Sequence, residues 1–301
     1  MHNPKIWCSR VTEYRRIEVD HKALKVKRQG DSLLSEDGRI FAIKDAHHLP
    51  PAIPTKIIAV HLNYESRTKE FLTKLPAAPT YFHKPITSLN SHNGDVIRPK
   101  RCKWLNYEGE IVIIIGKTCK DISKSEAHEY IAGYSVGNDF GLHDFRDTDA
   151  GSMLRVKGAD SLAPVGPGIV TDWDFRNKMI RTYVNGVLKQ EDNTNNMEWD
   201  MNYLVADIAR TITLVPGDMI FSGTPAHSRP VQIGDVVEVE VDGLGRLSNT
   251  IREGHLLRDD VGAQPTESEE VISTALGGDW EFRGIRTPSK DLYPSTIKEK
   301  K

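Results

Sequence analysis

The stretch that decides the fold is YEGEIVIIIGKTCKDISKSEAHEYIAGYSVGND, residues 107–139. Its apolar run, residues 111–115, predicts a buried β-strand. Glu108 and Glu110 stand at i and i+2 ahead of that run, and on a strand this spacing directs both side chains to one face. Two adjacent carboxylates repel each other and lose hydration on burial, so they need a cation. The alternative is a solvated turn.

A third carboxylate, Asp139, follows a second apolar segment. Three oxygen ligands suit a hard divalent ion such as Mg²⁺ or Mn²⁺, which keeps further positions for water or substrate. The sequence therefore predicts a metal site formed by Glu108, Glu110 and Asp139.

Between these acidic residues the pattern predicts a helix. Ser123 and Glu126 have the spacing of a capping box. Apolar residues then recur at helical spacing at Ala127, Tyr130, Ile131 and Tyr134. We expect this helix to pack by its apolar face and to deliver Asn138 and Asp139 to the site.

Further motifs follow in a fixed order. They are Gly133–Asp139, Arg155-Val-Lys157, Pro164–Pro167, Val184-Asn-Gly186, Pro216-Gly-Asp218 and Ser222–Pro225. With the Glu-Gly-Glu motif, their order and spacing resemble the fumarylacetoacetate hydrolase family from about residue 57 to residue 251. Within it, the chain is most similar to the isomerases and decarboxylases of homoprotocatechuate ring-cleavage products. The resemblance implies a mainly β (α+β) fold, a rolled mixed β-sheet around the metal with short helices as lid and packing elements.

The resemblance also implies a chemistry. In that family, Mg²⁺ or Mn²⁺ is chelated by the 2-oxo and 1-carboxylate oxygens of a small 2-oxo acid or dicarboxylate, and stabilises an enolate. Isomerisation, decarboxylation and C–C hydrolysis share this enolate, and only hydrolysis needs an activated water. Lys157 matches the family lysine that faces the bound substrate.

One departure bears on the reaction. Asn63, Tyr64 and Glu70 match the family's lid helix, but Arg67 occupies the position of its water-activating histidine. Arginine stays protonated and cannot act as a general base. We therefore predict isomerase or decarboxylase chemistry, with Arg67 in an active-site lid and Glu70 as the proton shuttle. A surface ion pair of Arg67 with Glu70 is the structural alternative. The functional alternatives are acylpyruvate-type hydrolysis with His61 as substitute base, and a non-catalytic metal-binding paralogue.

A second departure follows the third ligand. The family commonly has arginine four residues later, where this chain has His143. His143 is predicted to be an acid or base near neutral pH, or else a loop histidine held by Asp144. Three carboxylates and a divalent ion leave one negative charge, so a dianionic substrate needs nearby cations. Lys157 is the first candidate, with Arg146 or Arg155 in support.

Two further segments are expected to reach the substrate. Gly223 permits close backbone approach, and Thr224 offers a hydroxyl to a substrate carboxylate. Lys84 lies in a segment that resembles the family's Phe-x-Lys-Pro strand. It could contact an anion or pair on the surface.

The organisation along the chain is predicted as three parts. Residues 1–55 form a small N-terminal β module with a proline-rich linker, in which His47 and His48 are loop histidines facing opposite ways. Residues 56–251 form the catalytic domain, with an Asn185-Gly186 hairpin and an amphipathic helix over 201–212. Residues 252–301 form an extension with apolar patches at 271–276 and 280–282 and a disordered tail at 297–301.

Composition excludes several partners. The 301 residues carry 40 basic and 42 acidic side chains, a formal charge of -2, which argues against nucleic acid and anionic membranes. No run approaches the ~18 apolar residues of a membrane span, and the first residues lack a secretory core, so we predict a cytoplasmic protein. Cys8, Cys102 and Cys119 suggest reduced thiols. The family resemblance implies a homodimer or a higher even assembly.

Overall fold

The computed structural model describes residues 11–149 and 151–277. Strands β1 to β10 are Thr12–Val19, Lys22–Gln29, Ser32–Ser35, Ile40–Ala42, His47–Leu49, Ile57–Val60, Tyr81–Lys84, Leu89–Ser91, Asp95–Lys100 and Leu105–Asn106. Strands β11 to β19 are Gly109–Ile115, Ile131–Asn138, Gly141–Leu142, Ala163–Thr171, Met179–Val184, Val187–Asn193, Met219–Phe221, Val236–Val241 and Gly245–Leu256. Helices α1 to α5 are Glu65–Glu70, Arg146–Asp149, Leu154–Gly158, Met201–Ala209 and Glu269–Leu276. Among these described residues, no helix has the length and apolar character needed to cross a membrane.

The architecture is mainly β, as predicted. A 12-stranded sheet runs in the order β4-β3-β2-β1-β14-β12-β11-β17-β6-β7, with β5 beside β1 and β8 beside β14. A second sheet has the order β16-β15-β18-β19-β9, and β10 pairs with β13. The pairing of β1 with β14 attaches the N-terminal strands to the large sheet. The domain boundary near residue 55 stays a prediction.

Strand β11 lies at the centre of the large sheet. All seven of its residues are buried, which confirms the strand predicted from the apolar run. Ile111 and Ile113 join the largest core cluster, whereas Val112 and Ile114 pack with Phe221 in another cluster. The strand therefore buries both faces, and this explains why its apolar residues do not alternate with polar ones.

The helix predicted over residues 127–134 is wrong beyond its first turn. Residues 127–130 form a 3₁₀ turn, and 131–138 are strand β12, which is hydrogen-bonded to β11 on one side and to β14 on the other. Backbone pairing on both edges outweighs the helical spacing of a few apolar residues. Half of the capping box forms, since the Ser123 amide donates to the Glu126 carboxylate at 2.9 Å.

Several smaller expectations have mixed outcomes. Asn185 and Gly186 form the turn between β15 and β16, both with positive φ, as a two-residue hairpin requires. Helix α4 ends at Ala209, earlier than predicted. The two histidines at 47 and 48 belong to strand β5 and not to a loop, but they do face opposite ways.

The structure describes only some of the predicted thiols and C-terminal patches. Cys102 and Cys119 are free and buried, as expected, and Cys8 lies outside the described residues. The patch at 271–276 lies in α5. The patch at 280–282 and the tail at 297–301 fall outside the described residues.

Asp218 joins the chain before β6 to the turn before β17. Its fully buried carboxylate accepts hydrogen bonds from the amides of Thr55 at 3.0 Å, Lys56 at 3.1 Å and Val215 at 2.8 Å, and pairs with the Lys56 ammonium. Burial alone would raise the pKa of Asp218, but the hydrogen bonds from Lys56, Val215 and Thr55 hold it below its ordinary value.

We expect Asp218→Asn to destabilise the protein by about 2 kcal/mol near pH 7, because one charged acceptor is lost. A lowered folded-state pKa contributes stability above the unfolded value of about 3.9 and loses it as the pH falls through the folded value. The free energies of unfolding of the variant and of the unmodified protein, measured with urea, should therefore converge below about pH 4. Asp95→Asn, in the exposed pair with Arg252, is the control. A pH-independent difference would contradict this role.

Candidate metal centre

The antiparallel pairing of β11 with β12 brings three carboxylates to one edge of the sheet. Glu108 immediately precedes β11 and Asp139 immediately follows β12, and the register pairs Gly109 with Asn138. The Asp139 amide donates to the Glu108 carbonyl at 2.8 Å. Glu110 is the second residue of β11. The candidate ligand oxygens of Glu108, Glu110 and Asp139 all lie within 4.8 Å of one another, and all three residues are buried.

Gly109 explains the Glu-Gly-Glu spacing. A Cβ at this position would overlap the hydroxyl of Thr182 in the second sheet, so only glycine permits this approach. The Gly109 amide donates to Gln190 Oε1 at 3.2 Å, and Gln190 Nε2 donates to Thr224 Oγ1 at 3.1 Å. The Gly223 amide donates to Glu110 at 2.7 Å. These contacts show Gly223 and Thr224 bracing the acidic strand, while their predicted contact with substrate stays a prediction.

Two buried lysines face the carboxylates. Lys157 Nζ lies 2.6 Å from Glu108 Oε2 and 2.9 Å from Asp139 Oδ2. Lys84 has no exposed surface, and its Nζ binds both Asp139 Oδ1 and the Lys157 carbonyl. The surface alternative for Lys84 is therefore wrong. The sequence signal for Lys84 was the match of its segment to the family's Phe-x-Lys-Pro strand, and that match did not indicate burial.

The two buried lysines pair with Asp139 and Glu108 and not with Glu110. Burial opposes the charge of Asp139, but Lys157 and Lys84 outweigh it and lower the pKa of this carboxyl. The pKa of Glu110 is instead held well above its ordinary value, first by burial and then by Asp139 and Glu108. Within residues 11–149 and 151–277, Glu110 forms no ion pair. A buried, unpaired carboxylate in contact range of two others is a fit for a hard divalent cation, and all three donors are oxygens.

Helix α1 carries Arg67 into the site. Its Nη2 donates to Glu108 Oε1 at 3.1 Å, its Nη1 donates to Glu70 Oε2 at 2.8 Å, and its guanidinium stacks on Phe71 at 4.5 Å. Arg67 is buried, so the alternative of a surface pair is wrong. Its predicted role in an active-site lid stays a prediction.

Glu70 is held by a second arginine that the sequence analysis missed. Arg229 Nη1 pairs with Glu70 Oε1, and the His227 amide donates to the same oxygen at 3.1 Å. Burial would raise the pKa of Glu70, but Arg67 and Arg229 outweigh it and lower that pKa. The carboxylate is therefore ionised and fully engaged. Nothing in the sequence near Arg229 linked it to α1, 159 residues away.

A cavity opens beside Glu108 and Lys157, and His143 lines it. His143 is buried, and neither ring nitrogen has a hydrogen-bond partner within the described residues. Asp144 does not hold it, because that carboxylate accepts from the amides of Lys103 at 2.7 Å and Trp104 at 2.9 Å. Burial, followed by the charge of Lys157, lowers the pKa of His143 well below its ordinary value. The imidazole is therefore neutral near pH 7, with both ring nitrogens unpaired among the described residues.

The other candidates divide between the cavity and the surface. Arg146 and His61 line the cavity. Burial lowers the pKa of His61, so it too is neutral. Arg155 is half-exposed and pairs with Asp149 at 3.3 Å, outside this cavity, so it does not supply charge to the site.

Comparison with known proteins supports the resemblance. Residues 56–252 match the model of the fumarylacetoacetate (FAA) hydrolase C-terminal domain. An uncharacterized protein of Methanocaldococcus jannaschii is 42% identical over 211 residues, covering 70% of this chain and 89% of that protein.

Two named proteins are also similar. The 4-hydroxyphenylacetate degradation bifunctional isomerase/decarboxylase of Salmonella dublin is 37% identical over 214 residues, covering 70% of this chain and 50% of that protein, so the match spans about half of its length. The crystal structure of 5-carboxymethyl-2-hydroxymuconate delta-isomerase from Mycobacterium smegmatis superposes with a TM-score of 0.74 at 34% identity, covering 80% of this chain and 99% of that one.

Proposed function

Since this chain belongs to the fumarylacetoacetate hydrolase family, we propose that it is a Mg²⁺- or Mn²⁺-dependent isomerase or decarboxylase of small 2-oxo acids. Glu108, Glu110 and Asp139 would hold the ion. When bound, the ion supplies Lewis-acid polarisation of the substrate's 2-oxo group. The names of the bacterial isomerases and decarboxylase above support this reaction class and an origin of the substrate in aromatic degradation.

The charges around the cavity favour a dianionic substrate. The carboxylates of Glu108, Glu110 and Asp139 are matched by three cations, Lys84, Lys157 and Arg67, while Glu70 and Arg229 cancel each other. A divalent ion therefore adds two net positive charges, which a dicarboxylate neutralises. The sequence analysis inferred a net negative charge at the site because it did not count the positive charges of Lys84 and Arg67.

The observation that carries the choice of reaction is the position of Arg67 between Glu70 and Glu108. A guanidinium there cannot take a proton from water, so hydrolysis lacks its base on this helix. It can bind and orient an anionic substrate.

We assign the proton step to His143 and not to Glu70, which the sequence analysis predicted as the proton shuttle. Glu70 accepts from two arginines and an amide, so we assign it to orienting Arg67 and not to the shuttle. His143 is neutral and lines the cavity together with Lys157. Its Nε2 and the Lys157 Nζ both lie near Gly141, 3.3 Å and 3.2 Å from where a Cβ on that glycine would stand. We propose that His143 removes or returns the proton at C3 of the substrate, and that Lys157 holds the carboxylate beside the 2-oxo group.

Replacing Arg67 by histidine should raise acylpyruvate cleavage by about 10²-fold, the usual contribution of a general base. Glu70 already lies within hydrogen-bond distance of this side chain and would orient the new ring. The measurement is the rate of acylpyruvate cleavage, beside the rate of CO₂ release from oxaloacetate, with Mg²⁺ or Mn²⁺ present.

Two controls separate the base from the loss of charge. Arg67→Gln removes the charge without adding a base and should not raise cleavage. Adding Glu70→Gln to the histidine variant should remove the gain. Fast acylpyruvate hydrolysis by the unmodified protein would overturn the ranking and would direct attention to His61 or His143 as the base for water.

A further inference from the structure

Helix α5 contributes Thr274 to the lining of the cavity, although the helix lies beyond the residues that match the family. Ser268 caps its N-terminus, and the Ser268 Oγ accepts from the Val271 amide at 3.2 Å. Val271 and Ala275 pack against Trp104, and Asn106 Nδ2 donates to the Ala275 carbonyl at 2.8 Å. Trp104 and Asn106 lie in the segment that leads to Glu108, so the helix packs on the chain immediately before β11.

Two side chains of α5 lie at the cavity: Thr274 lines it, and Glu270 pairs with Arg146, which also lines it. Thr274 is buried and lines the cavity together with Lys157 and Glu108. Glu270 Oε1 lies 3.3 Å from Arg146 Nε, and Arg146 lines the same cavity with only 16% of its side chain exposed. Glu270 contacts the guanidinium through Nε, and Nη1 donates to the Met153 sulfur at 3.9 Å. A thioether is a weak acceptor, so the terminal nitrogens keep donors for a carboxylate.

The end of α5 touches the arginine cluster on the lid. Gly277 has φ +60°, and a Cβ there would overlap the Glu70 carboxylate and Arg229 Nη1. The chain therefore packs its backbone directly against the group that orients Arg67. Helix α5 thus contacts the cavity at Arg146 and the lid at Glu70.

We propose that α5 is a specificity wall that selects substrates with a distal carboxylate. In this assignment, which rests on the proposed function, Lys157 and the ion take the 2-oxo acid end, and Arg146 takes the far carboxylate by a bidentate contact. Glu270 fixes the direction of the Arg146 guanidinium before substrate arrives, and this lowers the entropy lost on binding. Thr274 supplies a hydroxyl at the same end.

The test compares two probes in the full-length protein with saturating Mg²⁺. Calorimetry would measure the Kd of a 2-oxo dicarboxylate, 2-oxoadipate, and of a 2-oxo monocarboxylate, 2-oxobutyrate. We expect Glu270→Gln and Thr274→Val each to reduce the preference for the dicarboxylate by about three- to tenfold, and Arg146→Gln to reduce it more. Glu269→Gln is the control, because Glu269 is exposed like its neighbour Glu270 but forms no ion pair within the described residues, and it should leave the preference unchanged.

A double variant tests whether Glu270 acts by positioning Arg146. If Glu270 acts through Arg146, adding Glu270→Gln to Arg146→Gln should change the preference no further. Equal weakening of both probes, or an unchanged preference in all three variants, would refute the specificity wall while leaving the proposed function intact. Binding of neither probe by the unmodified protein, with Mg²⁺ or with Mn²⁺, would refute the proposed function and the wall with it.

Discussion

Replacing Glu110 by glutamine is expected to abolish the stabilisation of this protein by Mg²⁺ or Mn²⁺. Burial and the neighbouring Asp139 and Glu108 raise the pKa of Glu110 well above its ordinary value. Without a metal ion, this side chain therefore resembles the neutral glutamine that replaces it. The variant should keep the hydrogen bond from the Gly223 amide and match the unmodified protein in EDTA.

The two proteins should differ once metal is added. A ligand present at 100 times its Kd stabilises the native state by about 2.7 kcal/mol. For a domain of this size that corresponds to a rise in Tm of about 5 to 10 °C, which thermal unfolding would detect in the unmodified protein alone. Glu65→Gln, exposed on α1, should retain the full response. An unchanged response in Glu110→Gln would remove Glu110 from the site.

Replacing Lys84 by methionine is expected to destabilise the metal-free protein by about 3 to 5 kcal/mol. The ammonium is fully buried and pairs with Asp139, and removing one partner of a buried pair leaves the other charge uncompensated. Saturating Mg²⁺ or Mn²⁺ should recover part of this loss, because the ion supplies positive charge to the same carboxylate.

Urea unfolding with EDTA and with metal would measure both effects. Lys124→Met, which breaks the exposed pair with Asp200, is the matched control and should cost at most about 1 kcal/mol. If Lys84→Met costs no more than this control, the pair with Asp139 does not support the site.

The cluster of three carboxylates could be predicted from the sequence because strand geometry brings its members together. Glu108 and Glu110 share a face through the two-residue repeat of a strand. Asp139 reaches them because β11 and β12 are antiparallel neighbours, so the start of one lies beside the end of the other. The helix predicted between them was wrong after Tyr130, but a short turn and a strand bring Asp139 to the same place.

The cations were less predictable because their partners lie far away along the chain. Arg229 pairs with Glu70 across 159 residues, and neither side chain belongs to a periodic pattern. Lys84 was recognised only as a motif position, with no indication that it was buried. Nothing in the sequence indicated that α5 contacts the cavity. Helical amphipathicity identifies the apolar face of a helix but not the surface that it covers.

The most direct test of the central claim is exchange of the C3 protons of pyruvate in D₂O, followed by NMR with Mg²⁺ or Mn²⁺. Metal-dependent proton transfer at C3 is common to isomerisation and decarboxylation and requires no activated water. We predict exchange that depends on the metal and is lost in Glu110→Gln. Exchange of equal rate in EDTA or in Glu110→Gln, or no exchange by the unmodified protein with either metal, would contradict the account.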